Sequence, residues 1–153
     1  MKKRLLSLYS RLSLLIAFML LMGAQAISQT PTDFWQAFEK CTQVSAFQSH
    51  YPTLGDAQTR LHAVMNHGVA VPALTGVTLS SNTNFEVYDK STMMGLNKAN
   101  FFLFHDVKFD GNTATFDVVY YYNFNGSYDQ FVAAVITLEK TNGVWAVTNT
   151  TIN

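Results

Sequence analysis

Between residues 101 and 152 the chain alternates apolar and polar positions with a period of two, in four stretches separated by short glycine-bearing turns. The turns are Asp110-Gly111, Asn125-Gly126-Ser127 and Asn142-Gly143. Asp-Gly and Asn-Gly pairs suit tight hairpins, because the central residues need positive φ and Gly, Asn and Asp tolerate it best. The pattern therefore predicts a meander of antiparallel hairpins. Centring the first turn on Asp110 and Gly111 sets Phe109 against Asn112, Val107 against Ala114, His105 against Phe116, Leu103 against Val118 and Phe101 against Tyr120. The second turn, with Gly126 in a left-handed bulge, sets Tyr120 against Val132, Val118 against Ala134, Phe116 against Ile136 and Ala114 against Leu138. The third sets Leu138 against Val147 and Lys140 against Trp145, whose ring the lysine stem covers. A slip of one residue would turn each strand over, so agreement across three turns outweighs any single one. His105 is then the only ionisable side chain in mid-strand on an otherwise apolar inner face, opposite Phe116. The outer face carries Phe102, Phe104, Val119, Tyr121, Phe131, Ala133 and Val135, an apolar patch that predicts a homodimer.

An apolar sheet face needs a cover, and the pattern upstream supplies one. Thr32 or Asp33 caps a predicted helix that runs to Phe47, with Phe34, Phe38, Cys41 and Ser45 on one stripe and Trp35 beside it. A second helix is predicted over 57–66, with Asp56 as its cap, Leu61, Val64 and Met65 on one face and Gly68 beyond its end. Residues 69–71 and 77–79 read as short strands and 85–88 as another, while 91–98 reads as a turn of helix or a loop offering Met93, Met94 and Leu96 as adaptable apolar contacts. The expected class is α+β, with N-terminal helices packed on a curved antiparallel sheet that ends in a β-meander.

The beginning of the chain changes the picture of its compartment. Lys2, Lys3, Arg4 and Arg11 precede or flank an apolar run from 12 to 22, and Ala24-Gln25-Ala26 follows as a small-residue cleavage site. The run is shorter than the ~20 residues that span a bilayer. Residues 1–26 therefore read as a signal peptide and 27–153 as one exported domain, periplasmic or secreted, with no membrane attachment after cleavage. The leader holds four of the ten Lys and Arg residues and none of the ten acidic ones, which leaves six against ten and a formal net charge of −4. Such a chain offers no basic stripe to neutralise phosphates, which excludes nucleic acid as the expected partner. Cys41 is the sole cysteine, so the fold depends on its core and not on an internal disulfide.

The candidate chemistry is sparse. His62 and His67 are five apart, which on a helix turns them about 140° away from each other and makes no metal pair. No nucleophile elbow, phosphate-cradling glycine loop or cofactor motif occurs, so no metal and no cofactor is expected. Asp33-Phe34-Trp35-Gln36-Ala37-Phe38, the stretch from Val107 to Phe116 with its Asp-Gly turn, and the stretch from Leu138 to Val147 with Gly143 and Trp145 resemble the nuclear transport factor 2-like superfamily, which includes ketosteroid-isomerase-like and SnoaL-like proteins. A cystatin-like interaction domain, a helix laid on a sheet, is the nearest rival. The resemblance implies a cone-shaped fold with a pocket between helices and concave sheet, and frequent homodimers. The isomerases' catalytic Asp and Tyr pattern has no counterpart here residue by residue. The expectation is thus a domain that binds a small apolar ligand or a protein partner, with Trp35, Phe38, His105, Phe116, Tyr120 and Trp145 around the pocket. The alternative is a cofactor-independent isomerase or dehydratase with His105 as acid or base.

Overall fold

The computed structural model describes residues 29–53, 60–79, 83–126 and 130–153. The expected leader, the start of the expected second helix and Ser127 of the second turn lie outside them. Helix α1 (Pro31–Cys41) begins earlier than expected. Pro31 carries the fixed φ of a first helical residue, and the Thr30 hydroxyl accepts from the Asp33 amide at 3.1 Å, so Thr30 is the cap in place of Thr32 or Asp33. The helix also stops short of Phe47. Thr42 donates its hydroxyl to the Glu39 carbonyl at 2.8 Å, Val44 is extended, and a second short helix, α2 (Ser45–Gln48), restarts at an angle that buries Phe47.

Among the described residues six strands follow: β1 (Arg60–Asn66), β2 (Thr83–Asp89), β3 (Phe101–Asp110), β4 (Thr113–Tyr121), β5 (Phe131–Thr141) and β6 (Val144–Ile152). Helix α3 (Lys90–Gly95) lies between β2 and β3 in sequence. They form one open mixed sheet in the order β2-β1-β3-β4-β5-β6. The expected antiparallel pairing holds from β3 to β6, whereas β1 runs parallel to both of its neighbours. Among the described residues no helix is long and apolar enough to cross a membrane.

Strand β1 replaces the predicted second helix. His62 and Val64 face α1 while Ala63 and Met65 face α3, so four consecutive residues are buried, and Leu61 is exposed. A strand covered on both faces reads as a continuous apolar run, and such a run has no period to distinguish it from a short helix. Residues 69–71 and 77–79 are likewise not strands. They belong to the crossover from β1 to β2, where Val69, Val71, Leu74, Val77 and Leu79 pack on the core. Trp35 Nε1 and Gln36 Nε2 of α1 hold that crossover by donating to the carbonyls of Pro72 and Thr78, each at 3.2 Å. The return from β2 to β3 crosses the other face through α3, which Asp89 caps by accepting from the Thr92 amide at 2.8 Å.

The β4–β5 register is the expected one throughout, as are the pairs Leu138 with Val147 and Lys140 with Trp145. Asn142 and Gly143 both take positive φ, 51° and 82°, as the two-residue turn between β5 and β6 requires. The first hairpin differs. Its turn is Gly111-Asn112, with Asp110 paired to Thr113 and Val107 to Phe116, and an extra residue bulges out of β3 between Phe104 and Asp106. That residue is His105. Phe102, Phe104, Val107 and Phe109 are spaced two, three and two apart, so all four can face the helix only if one residue is added to the strand between 104 and 107. The inward position expected for His105 is therefore corrected to the exposed surface, and the outward positions of Phe102 and Phe104 to the core. Phe101 and Leu103 take the outer face instead, where Met93, Met94 and Phe124 cover them together with Tyr121. Phe131 stays half exposed on that side.

The core is a set of aromatic rings from α1 and the sheet. Phe38 has ring centroids of Trp35, Phe85, Phe102, Phe104 and Phe116 within 4.7–6.2 Å, mostly edge to face, and is itself fully buried. Each such pair adds about 0.5–1.5 kcal/mol beyond the area it buries. At the start of α1, Lys140 donates to Asp33, which also accepts from Trp145 Nε1 at 3.3 Å and from the Thr30 hydroxyl at 2.9 Å. Partial burial pushes the Asp33 pKa up, but the bonds from Lys140 and Thr30 outweigh it and the net shift is downward. The helix is thereby pinned to the β5–β6 hairpin.

The bulge gives a direct test of the register. Deleting His105 leaves Phe102, Phe104, Val107 and Phe109 in unbroken alternation, so that variant should fold at a cost of at most about 2 kcal/mol by chemical denaturation. Deleting Lys108 puts Phe109 out of phase with Val107 and should cost more. The opposite ranking would show that the register is wrong.

Candidate functional site

The ladder between β1 and β3 consists of two residue pairs, Val64 with Phe102 and Met65 with Leu103. Residues 60–62 of β1 therefore extend past the start of β3 without a described strand beside them on that side. The segment that would lie there is held elsewhere. The Ala99 carbonyl accepts from the Phe124 amide at 2.7 Å, and Asn100 Oδ1 accepts from the Asn123 amide at 3.0 Å, which ties residues 99–100 to the β4–β5 loop. The result is a notch in the sheet opening into a cavity of about 190 Å³, bordered by Arg60, His62, Ala63, Glu86, Lys98, Asn100 and Tyr120 among others.

His62 is 6% exposed and Tyr120 2%, and both rings reach the cavity from the α1 side of the sheet. The His62 ring packs against Tyr51, Phe85 and Phe102 with centroids 4.8, 5.9 and 5.3 Å away. Burial, followed by the nearby charge of Arg60, lowers the His62 pKa to about 4, so the ring is neutral at pH 7. Burial raises that of Tyr120 to about 12, with Arg60 opposing, so its hydroxyl stays protonated. Among the described residues no hydrogen bond ties either the His62 ring nitrogens or the Tyr120 hydroxyl, and neither side chain has an enclosed polar atom without a partner. Both residues border the cavity, and their polar atoms make no hydrogen bond to another side chain or to the backbone among the described residues.

Arg60 stands at the mouth. Its guanidinium lies 4.8 Å above the Tyr51 ring and donates to the Pro52 carbonyl at 3.1 Å. Tyr51 donates to the Thr42 carbonyl at 2.7 Å, and burial drives its pKa upward. On the α3 side, Lys98 sits 3.4 Å from Glu86, which also accepts from the Tyr88 hydroxyl. That hydrogen bond is the largest cause of a lowered Glu86 pKa.

The residues expected around a pocket are distributed otherwise. Trp35, Phe38 and Phe116 are fully buried within the aromatic core, which fills the contact between α1 and the sheet. Trp145 borders a separate hollow of about 190 Å³ with Asp33, Phe109 and Lys140. His105 is on the surface, its Nδ1 3.9 Å from Asp117 Oδ1, remote from the notch. Tyr120 alone of the six borders the notch cavity. His62, Arg60, Lys98 and Asn100 were not anticipated. The available signal was the length of the run 61–65, five residues between Arg60 and Asn66-His67-Gly68, which suits a strand better than a helix. No three of His, Cys, Asp and Glu come together as a metal set among the described residues.

His62 couples the site to folding. Its folded pKa of about 4 lies below the ordinary value of 6.5, so the unfolded chain binds the proton more tightly. The contribution to stability is complete above pH 6.5 and falls as the pH drops towards 4, by up to about 1.4 kcal/mol per pH unit for one proton. Urea unfolding at a series of pH values should show this loss in the parent and a flatter profile in His62→Leu. Equal slopes in both proteins would show that His62 is not buried as a neutral ring.

No family model, no curated protein and no solved structure matches the chain.

Proposed function

We propose that the chain is an exported binding domain whose ligand is small and polar and occupies the notch between β1 and residues 98–100. One observation carries the reading: two buried side chains with polar ends, His62 and Tyr120, border the cavity and have no hydrogen-bond partner among the described residues. A buried hydroxyl or imidazole without a partner costs about 1–3 kcal/mol, and a ligand or water in the cavity removes that cost. The size of the space favours a ligand well below the drug-sized class, whose pockets run from about 300 to 1,000 Å³. A small apolar ligand between helix and sheet fits less well, because aromatic rings occupy that contact. The acid–base reading, an isomerase or dehydratase without a cofactor, moves from His105 to His62, a neutral imidazole facing a cavity.

Location is tested with a mixed library of small polar fragments and two-dimensional NMR of the purified protein. Amide shifts should cluster at residues 60–63 and 98–100. Shifts that cluster along α1 and β4 would return the site to the helix–sheet contact and end this reading. Export is tested separately by the intact mass of the protein from its native cell envelope, where a chain starting near Ile27 is expected and a retained leader would refute it.

A further inference from the structure

The polar groups around the notch are unequal in kind. Arg60, His62, Lys98, Asn100 and Tyr120 all bring donors, and among the described residues of the lining Glu86 is the one carboxylate. Glu86 is already engaged by Tyr88 and Lys98. Lys98 is compensated by the same pair. Arg60 is not: the side-chain bond it makes goes to a neutral carbonyl, that of Pro52, and no acidic group pairs with it among the described residues. The Asn100 side-chain oxygen is spent on the Asn123 amide, which leaves its amino group as the free end. A half-buried guanidinium beside a phenol and an imidazole that both lack hydrogen-bond partners among the described residues is a set of donors suited to acceptors with negative charge. Pro52, Leu61 and Ala63 supply apolar wall.

We infer that the notch binds a carboxylate on a short apolar stem, with the carboxylate facing Arg60 and Tyr120 and the stem against Pro52, Leu61 and Ala63. A guanidinium meets a carboxylate with two parallel N–H donors, and a flat two-oxygen acceptor leaves the second oxygen for a hydroxyl or an imidazole N–H. Water occupies about 30 Å³ per molecule in the liquid, so a cavity of about 190 Å³ holds roughly six heavy atoms, the size of a four-carbon acid. The same chemistry is presented by a free short-chain acid and by the carboxyl terminus of a peptide. This inference rests on the proposed location of the site and adds the class of ligand.

The probes are an isosteric pair, butyrate and butyramide, followed by an N-acetylated dipeptide with free or amidated carboxyl terminus, each titrated into the purified protein and followed by amide shifts. Butyrate should produce saturable shifts at residues 60–63 and 98–100 with at least tenfold tighter binding than butyramide. Raising the salt should weaken it. Arg60→Gln should lose about tenfold or more, and Tyr120→Phe, which keeps the ring packing and removes only the hydroxyl, should lose severalfold with the fold intact. Tighter binding of the free-carboxyl dipeptide than of butyrate assigns the source to a peptide end, and the reverse assigns it to a free acid. Equal binding of butyrate and butyramide in the notch overturns the carboxylate inference and leaves the site standing. If neither probe shifts the notch residues, the carboxylate inference falls; if the fragment library fails there as well, the site falls with it.

Discussion

The extra residue in β3 is the constraint on which the arrangement of the sheet depends. Without the bulge at His105, Phe102 and Phe104 would share a face with Lys108, and Val107 and Phe109 would share one with Phe101 and Leu103. No single helix could then cover β3 along its length. The bulge inverts the strand at one point, so that α1 finds four apolar side chains in line while α3 finds Phe101 and Leu103 behind them. It also places the two polar residues His105 and Asp106 outward together. The local ladder is disrupted at one position, and the gain is a core in which Phe34 and Phe38 each meet Phe104 and Phe116 at 4.7–5.9 Å.

Covering both faces of the first half of β3 has a second consequence. A sheet buried on both sides needs crossovers on both sides, and the two parallel connections supply them. The β1–β2 crossover lies on the α1 face, tied by Trp35 and Gln36, and the β2–β3 crossover brings α3 to the opposite face. The chain leaving α3 must then pass over β1 before it joins the sheet as β3. It enters late, after residues 98–100 have been held by the β4–β5 loop, and the notch is the space left by that late entry.

Legibility in the sequence followed the local signal. Three hairpin turns with Gly and Asn made the meander readable, and the β4–β5 register and the first pairs of β5–β6 follow from them residue by residue. The Phe34 and Phe38 stripe identified the covering helix. Two features escaped because their causes are not local. The bulge is encoded only in the spacing of Phe102, Phe104, Val107 and Phe109, which unbroken alternation along one strand cannot place on one face, and a rule that reads the register from the turn alone does not see it. Strand β1 is encoded by burial on two faces, a property of its neighbours β2 and β3 and of the helices above and below them. The site escaped for the same reason, since His62 and Arg60 lie on β1 and acquire their meaning from where β3 does not pair.

The two walls of the notch differ in how firmly they are held. Residues 60–63 pair along their other edge with β2, from Arg60 with Thr83 to Ala63 with Glu86, and the His62 ring is enclosed by Tyr51, Phe85 and Phe102. The opposite wall, residues 98–100, has no strand partner among the described residues and is held by hydrogen bonds from Asn123 and Phe124 and by the pair of Lys98 with Glu86. Asn123 takes φ of 52°, a conformation that Asn tolerates better than most residues, at the point where the chain leaves β4. The charged and buried donors Arg60, His62 and Tyr120 thus stand on the rigid side, and the segment able to adjust contributes Lys98 and Asn100. If the proposed ligand binds there, Arg60 on the sheet side acts on its charge, and Asn123, whose amide holds Asn100, acts on the position of the opposite wall.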